Sequence, residues 1–117
     1  MSAELKKRTK TFALRIAKLI AAQPKTSEGR ILAGQIGRSG TAVGSNYRAS
    51  CRARSRAEFI AKIGVVEEEA DETAFWLELI AESGMLSAAK IDPLLTEAVE
   101  LTAIMANSRI TAARNKA

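Results

Sequence analysis

Residues 31–47 read ILAGQIGRSGTAVGSNY, and this stretch decides how the chain folds. Within it, Ile36, Val43 and Tyr47 keep the three- and four-residue spacing of one helix face. An interior glycine costs a helix about 1 kcal/mol relative to alanine, yet glycines recur on one face at the same steps: Gly37, Gly40 and Gly44. The pattern predicts either a broken helix or a second helix packed too closely for side chains. We favour close packing, because the apolar spacing continues across the glycines.

Four amphipathic segments joined by short breakers make up the chain. The first covers about residues 3–22, the second about 27–52, the third about 55–83, and the fourth ends near residue 114. Their apolar residues recur every three or four positions, which is typical of helices with one buried face. Short connections place consecutive helices antiparallel. The sequence therefore predicts an all-α fold, a single domain over residues 1–117 built as an antiparallel up-down four-helix bundle.

Local signals mark the ends of these helices. Thr26 or Ser27 is the expected N-cap of the second helix, and Ser55 followed by Glu58 forms a capping box for the third. Gly84 is expected at the C′ position that ends the third helix, since glycine tolerates the left-handed backbone found there.

The fourth helix has two alternative starting points. It begins either at Ser87 or at Asp92-Pro93, where aspartate suits the N-cap and proline suits the first helical position. If the helix begins at Ser87, Pro93 is expected to interrupt it after one turn, because proline lacks the amide hydrogen that continues a helix.

The composition lacks the usual catalytic groups. The 117 residues contain no histidine, which is the commonest general base and metal ligand. The acidic run at residues 67–72 distributes its carboxylates around a helix rather than converging them on a metal, so we interpret it as a solvated or salt-bridging face. We therefore predict that the protein is not an enzyme and has no catalytic residues, no metal and no cofactor.

The sequence also indicates a location for the protein. It has no apolar run of about eighteen residues, the length that a membrane-spanning helix requires. Its one cysteine, Cys51, cannot form an internal disulfide, and its charged N-terminus lacks the apolar region of a signal peptide. These features predict a cytoplasmic protein with no membrane partner.

Charge is divided unevenly along the chain. Residues 1–56 carry a net charge of +11, residues 57–108 carry −9, and residues 109–117 carry +3, for a total of +5. A chain with this polarity can attract a polyanion through its basic half, or it can attract its own acidic half.

Arginines dominate the basic half of the chain. Arg38, Arg48 and Arg52 lie within about 80° of one another on the second helix, at about 100° per residue. Guanidinium groups suit both phosphates and carboxylates, so this cluster either binds a nucleic acid backbone or pairs with acids of the third helix. Only Tyr47 is aromatic among the arginines, so base-specific recognition is not indicated. The candidate nucleic-acid-binding residues are Arg38, Arg48, Arg52, Arg54, Arg56, Lys7 and Arg8.

Two motifs in residues 35–60 resemble those of a known family. Residues 38–46, RSGTAVGSN, resemble a family core of the form R-S-x-x-S-[IV]-G-[AS]-N, and residues 55–60, SRAEFI, resemble its second element S-[KR]-x-E-F-[IL]. The family is named for the protein encoded in intervening sequences of 23S ribosomal RNA. The resemblance covers roughly residues 5–110, but residues 47–50 read YRAS where many members read I-A-E-G.

The resemblance carries expectations about assembly and partners. It implies an antiparallel four-helix bundle that assembles as a homopentameric ring with a basic surface. The family includes accessory proteins of diversity-generating retroelements, which implies nucleic acid and a protein partner such as a reverse transcriptase. The residues expected to serve packing or assembly are Gly37, Ser39, Gly40, Gly44, Asn46, Glu58 and Phe59.

Two functional hypotheses follow from the sequence. In the first, the protein is a non-enzymatic oligomer that binds RNA or DNA through its basic face without sequence specificity. In the second, it is a structural or adaptor protein whose charged faces serve subunit assembly and protein partners.

Overall fold

Four helices account for nearly all of the structure, a computed structural model that describes residues 2–115. They are α1 (Ser2–Ala22), α2 (Ser27–Ser50), α3 (Arg56–Glu82) and α4 (Ala88–Arg114). The molecule is an elongated rod measuring 52 × 21 × 19 Å. The predicted all-α fold is confirmed. The bounds of α1, α2 and α3 differ from the predicted ones by at most two residues, and α4 follows the alternative that starts at Ser87.

The helices pack in the order in which they occur in the chain. α2 packs against both α1 and α3, α3 packs against α4, and a narrower contact between α4 and α1 closes the bundle. Across residues 2–115, helices on opposite corners do not approach each other closely. Connections of four or five residues reverse the chain between successive helices, as the up-down arrangement requires. None of the helices in this part of the chain is long and apolar enough to cross a membrane.

The core along the axis of the bundle is almost entirely aliphatic. Each helix contributes one stripe of side chains at three- and four-residue spacing, as amphipathic helices do. The largest side chains that are completely buried are Phe12, Ile16, Ile36, Ile63, Leu77, Ile80, Ile91, Leu101 and Met105.

The glycines of α2 form the surface on which α1 packs. A Cβ atom added at Gly40 would lie 2.8 Å from Cγ1 of Ile16, and one at Gly37 would lie 2.9 Å from Cδ1 of Ile20. A Cβ at Gly44 would lie 3.3 Å from the backbone carbonyl oxygen of Thr9. The helix continues unbroken through all three positions. Close packing, rather than a break, is therefore the reason for the glycines.

The predicted caps of α2 and α3 are present. The hydroxyl of Thr26 accepts a hydrogen bond from the amide of Gly29 at 3.0 Å, and that of Ser55 accepts one from the amide of Glu58 at 3.1 Å. The carboxylate of Glu58 accepts from the amide of Arg54 at 3.4 Å, one residue before the N-cap. Gly84 follows α3 with a φ of 78°, the left-handed conformation expected of a C′ glycine.

The expectation that Pro93 interrupts a helix starting at Ser87 is wrong. α4 begins at Ala88, has Ser87 as its N-cap, and runs through Pro93 to Arg114. Proline at this position loses one helical hydrogen bond. The neighbouring side chains of Ile91 and Leu94 are buried in the core and hold both sides of the proline in the same helix.

One buried polar contact joins α2 to α3. The hydroxyl of Thr73 donates to the backbone carbonyl of Glu69 at 2.7 Å, and its oxygen lies 2.9 Å from the hydroxyl oxygen of Ser39. Both side chains are fully buried. Since hydroxyl groups without partners are costly in a core, this pair fixes the register of the two helices.

Candidate nucleic-acid interface

A groove between the first half of α1 and the end of α2 is lined mostly by cations. Lys6, Lys7 and Lys10 project from α1, Arg48 projects from the last turn of α2, and Arg52 lies two residues past the end of that helix. The volume between them is about 490 Å³. All five side chains belong to exposed residues. The remaining residue of the lining is Ala3, so the groove has no acidic wall.

The local packing of α1 and α2 explains why these cations face one another. Lys6 and Lys10 are four residues apart and so lie along one side of α1, while Arg48 is in the last turn of α2 and Arg52 follows it in the turn beyond the helix. The helices are antiparallel, and Gly44 brings α2 close to the backbone of Thr9 just beside the groove. Two rows of positive charge are therefore held side by side along a narrow cleft.

These five cations have no carboxylate partner in the part of the chain that the structure describes. The ion pairs within residues 2–115 involve other arginines. Uncompensated charges of one sign in a cleft create a positive potential that attracts anions. The groove is thus suited to phosphate groups.

Arg38 lies outside the groove and is engaged by the acids of α3. Its guanidinium donates to Glu69 at 3.2 Å and also to Glu72, whose carboxylate accepts a further hydrogen bond from the indole nitrogen of Trp76. Arg38 therefore pairs with carboxylates of α3, which was the second of the two predicted alternatives. It does not line the groove with Arg48 and Arg52.

Arg8 is also engaged within the molecule. It makes two hydrogen bonds of 2.7 Å to the carboxylate of Glu97 and one of 2.9 Å to Glu100. The hydrogen bond to Glu97 is the main reason why the pKa of Arg8 is raised above its ordinary value. Arg8 therefore joins α1 to α4 instead of contributing to the groove, although the adjacent Lys7 does contribute.

The other two predicted arginines lie where α2 connects to α3: Arg54 is in the turn, and Arg56 is the first residue of α3. Arg54 and Arg56 are exposed, and neither lines the groove. They extend the positive surface past its end. Lys6 and Lys10 are not among the residues predicted from the sequence, although their four-residue spacing beside Lys7 is a sign of one cationic helix face.

The acidic run of α3 pairs with arginines from both neighbouring helices. Glu67 accepts a hydrogen bond of 2.8 Å from Arg109 of α4, and the two acids facing α2 bind Arg38. The hydrogen bond from Arg109 to Glu67 raises the pKa of Arg109. This arrangement confirms the interpretation of residues 67–72 as a salt-bridging face.

The residues predicted to serve packing or assembly have roles within this chain. The three glycines contact α1, Ser39 pairs with Thr73, and Glu58 caps α3. The side-chain amide of Asn46 donates to the carbonyl of Ala42 at 2.8 Å, and the half-buried ring of Phe59 packs against the core.

A second cavity, which we call the end pocket, opens at the end of the bundle where the α2–α3 turn lies. Its volume is about 420 Å³, and its apolar lining includes Leu5, Tyr47, Cys51 and Phe59. Tyr47 is only 5% exposed. Burial, together with the neighbouring thiol of Cys51, raises the pKa of Tyr47 to about 12.

The fold and the groove together define a class of protein: a small four-helix protein with a cationic cleft between two of its helices. The chain belongs to the 23S rRNA-intervening sequence protein family, whose model matches residues 2–107. The family predicted from the motifs at residues 38–46 and 55–60 is thereby confirmed.

A solved structure supports the same assignment. The chain is similar to a protein of unknown function from the S23 ribosomal protein family of Bacteroides thetaiotaomicron, whose crystal structure superposes with a TM-score of 0.84. The two sequences are 30% identical, and the match covers 90% of this chain and 97% of the other. No curated protein sequence matches the chain at a significant level.

Proposed function

We propose that this protein is a non-enzymatic module that binds RNA or DNA through the groove between α1 and α2, without sequence specificity. The observation that supports the proposal most directly is the set of five exposed cations, from Lys6 to Arg52, that have no acidic partner within residues 2–115. Phosphate groups along one strand would replace the missing carboxylates.

The affinity for nucleic acid should depend steeply on salt. Each phosphate contact releases a condensed counterion, so log Kd should rise linearly with log salt concentration, with a slope of nearly one per contact. Fluorescence anisotropy with labelled RNA and DNA, titrated at several salt concentrations, measures this slope. No binding at low salt would contradict the proposal.

Charge reversal in the groove should weaken binding. Arg48→Glu and Arg52→Glu each replace a cation with an anion, and we expect each to reduce affinity by roughly tenfold or more at low salt. Arg30→Glu is the matched control, because Arg30 is an exposed arginine on the same helix, about 27 Å from Arg48 at 1.5 Å per residue. Equal losses in all three variants would indicate an effect of net charge alone and would exclude the groove as the site.

A structural or adaptor role is the second candidate, and one surface of α3 favours it. Phe75 is 50% exposed, and the acids Glu68, Asp71 and Glu78 on the same helix are also exposed. Such a surface would fit the basic groove of another copy, and in a cyclic homopentamer each copy would contribute one of each surface.

The native mass separates the two candidates. If the groove binds another copy, Arg48→Glu should dissociate an oligomer of the wild-type protein, as measured by light scattering after gel filtration. An unchanged oligomer, together with reduced binding to nucleic acid, would assign the groove to nucleic acid instead.

A further inference from the structure

The end pocket, which all four helices line, shares the start of α1 and the end of α2 with the cationic groove. Each of three pocket residues directly precedes a groove cation in the sequence: Leu5 precedes Lys6, Tyr47 precedes Arg48, and Cys51 precedes Arg52. Successive residues of a helix point about 100° apart, which applies to the pairs on α1 and α2, and Cys51 and Arg52 follow directly after α2. The apolar pocket therefore opens beside the groove, on the adjacent face of α1 and α2.

The lining of the pocket matches a flat ring with polar edges. The half-buried ring of Phe59 supplies the more accessible aromatic wall, since Tyr47 is only 5% exposed. Hydroxyl groups occur at several positions around these rings, among them Ser2, Ser55 and Ser108. A volume of about 420 Å³ is within the range of small-molecule sites. An aromatic ring provides a stacking surface for a base, and hydroxyl groups satisfy the polar edges of a base without selecting one base strictly.

The fold brings together aromatic groups that are distant in the sequence. Tyr47 is on α2, whereas Phe59 is on α3, and both line the pocket because the turn between these helices is short. Proteins that bind single strands combine a positive groove along the backbone with aromatic side chains that stack on the bases. In this molecule the cationic groove and the aromatic side chains of the end pocket are adjacent.

We propose that the protein binds single-stranded nucleic acid, with phosphates in the groove and one unpaired base in the end pocket. This inference rests on the proposed function and adds that the bound nucleic acid is single-stranded. A base inside a duplex is paired and stacked, so it reaches a protein pocket only at the cost of breaking those contacts. Single strands should therefore bind more tightly than duplexes.

An abasic strand separates the contribution of the base from that of the phosphates. We would compare oligothymidylate, oligouridylate, an abasic strand and a duplex of equal length by anisotropy at fixed salt. Stacking of one base predicts that thymidylate and uridylate bind roughly tenfold more tightly than the abasic strand. Preference for one of the two would identify DNA or RNA as the source of the single strand.

A variant that fills the pocket tests the position of the base. Ser108 lines the end pocket and is half-buried, so Ser108→Phe places a ring inside it without changing charge. We expect this variant to bind oligothymidylate no better than it binds the abasic strand. Ala103→Phe adds the same bulk to an exposed position of α4 outside the pocket, and it should bind as the wild type does.

The wild-type protein provides a measurement that does not depend on how a variant folds. Cys51 is half-buried in the pocket lining, so its alkylation by iodoacetamide should slow when oligothymidylate is bound and remain unchanged with the abasic strand. Equal affinity for abasic and base-bearing strands, with no protection of Cys51, would overturn the inference and leave phosphate binding intact. If no strand binds at low salt, the proposed function fails as well.

Discussion

Gly40 and Gly34 are glycines of the same helix with opposite surroundings. Gly40 is buried against Ile16, whereas a Cβ added at Gly34 would have no atom within 4 Å. We expect Gly40→Ala to lower the free energy of unfolding by about 1–3 kcal/mol, because the added methyl group forces Ile16 aside in a packed interface. Gly34→Ala should raise it by up to about 1 kcal/mol through helix propensity.

Urea denaturation of both variants, monitored by far-ultraviolet circular dichroism, measures these changes. The two variants test close packing because we expect Gly40→Ala to destabilise the protein and Gly34→Ala to stabilise it. Helix propensity alone predicts that both substitutions stabilise the protein. A stabilised Gly40→Ala would show that α1 does not need the close approach at this position.

The raised pKa of Tyr47 makes the stability of the folded protein decrease at alkaline pH. Its pKa is raised by burial and by Cys51 from 10.0 to about 12. Between these values the unfolded chain releases the phenolic proton and the folded protein retains it, so stability should fall as pH rises through this window. Below pH 10 both states keep the proton and the contribution is constant.

Tyr47→Phe should remove this part of the pH dependence. Denaturation midpoints measured between pH 9 and pH 12 should fall less steeply for the variant than for the wild type. Tyr47 is the only tyrosine in the chain, so absorbance of the phenolate reports its titration directly. Titration at the ordinary pKa of tyrosine in the folded protein would contradict the expectation.

The single-residue features that could be predicted from the sequence are those with a local cause. The caps at Thr26 and Ser55 depend on residues three positions away, and the glycine face of α2 follows from one helical period. The partners of Arg8 and Arg38 depend on which helix face lies opposite in space. From the sequence alone, an arginine could bind either a phosphate or a carboxylate, because both anions attract the guanidinium group.

Among the helices, the contact between Ser39 and Thr73 joins α2 to α3. We expect Thr73→Val to lower the free energy of unfolding by about 1–3 kcal/mol, because it leaves the buried hydroxyl of Ser39 without its best partner. Denaturation by urea measures the change. The double variant Ser39→Ala, Thr73→Val should cost less than the sum of the single variants, because it removes both polar groups together.

Strict additivity in this cycle would show that the two hydroxyls do not interact. The exposed Thr41 is a suitable control, since its hydroxyl bonds only to the backbone of its own helix. Thr41→Val should have a small effect, within about 0.5 kcal/mol.

Pro93 shows the limit of sequence reasoning about helices. Serine at residue 87 and the Asp92-Pro93 pair each suit a helix start, and local rules predict that Pro93 interrupts a helix that begins at Ser87. The burial of Ile91 and Leu94 on both sides of Pro93 stabilises a longer helix by more than the lost hydrogen bond costs. This comparison of burial with the lost hydrogen bond requires knowing where the core lies, and the core is formed by all four helices together.

Across the whole molecule, the uneven charge of the chain is only partly neutralised by folding. Arg8 and Arg38 of the basic half pair with acids of α4 and α3, and Arg109 of the C-terminal segment pairs with an acid of α3. The cations of the groove remain, and they were predicted only in part, through Lys7, Arg48 and Arg52. The end pocket was not predicted at all, because it combines residues of all four helices.

The order in which the helices pack also determines how the chain reaches this structure. The three extensive interfaces join helices that are consecutive in the chain, and only the narrow contact from α1 to α4 spans most of its length. Native contacts of low sequence separation favour rapid folding, on timescales of microseconds to milliseconds for helical bundles. During synthesis, the hairpin of α1 and α2 can form before α3 is complete, whereas the bond from Arg8 to Glu97 can form only after α4 has been synthesised.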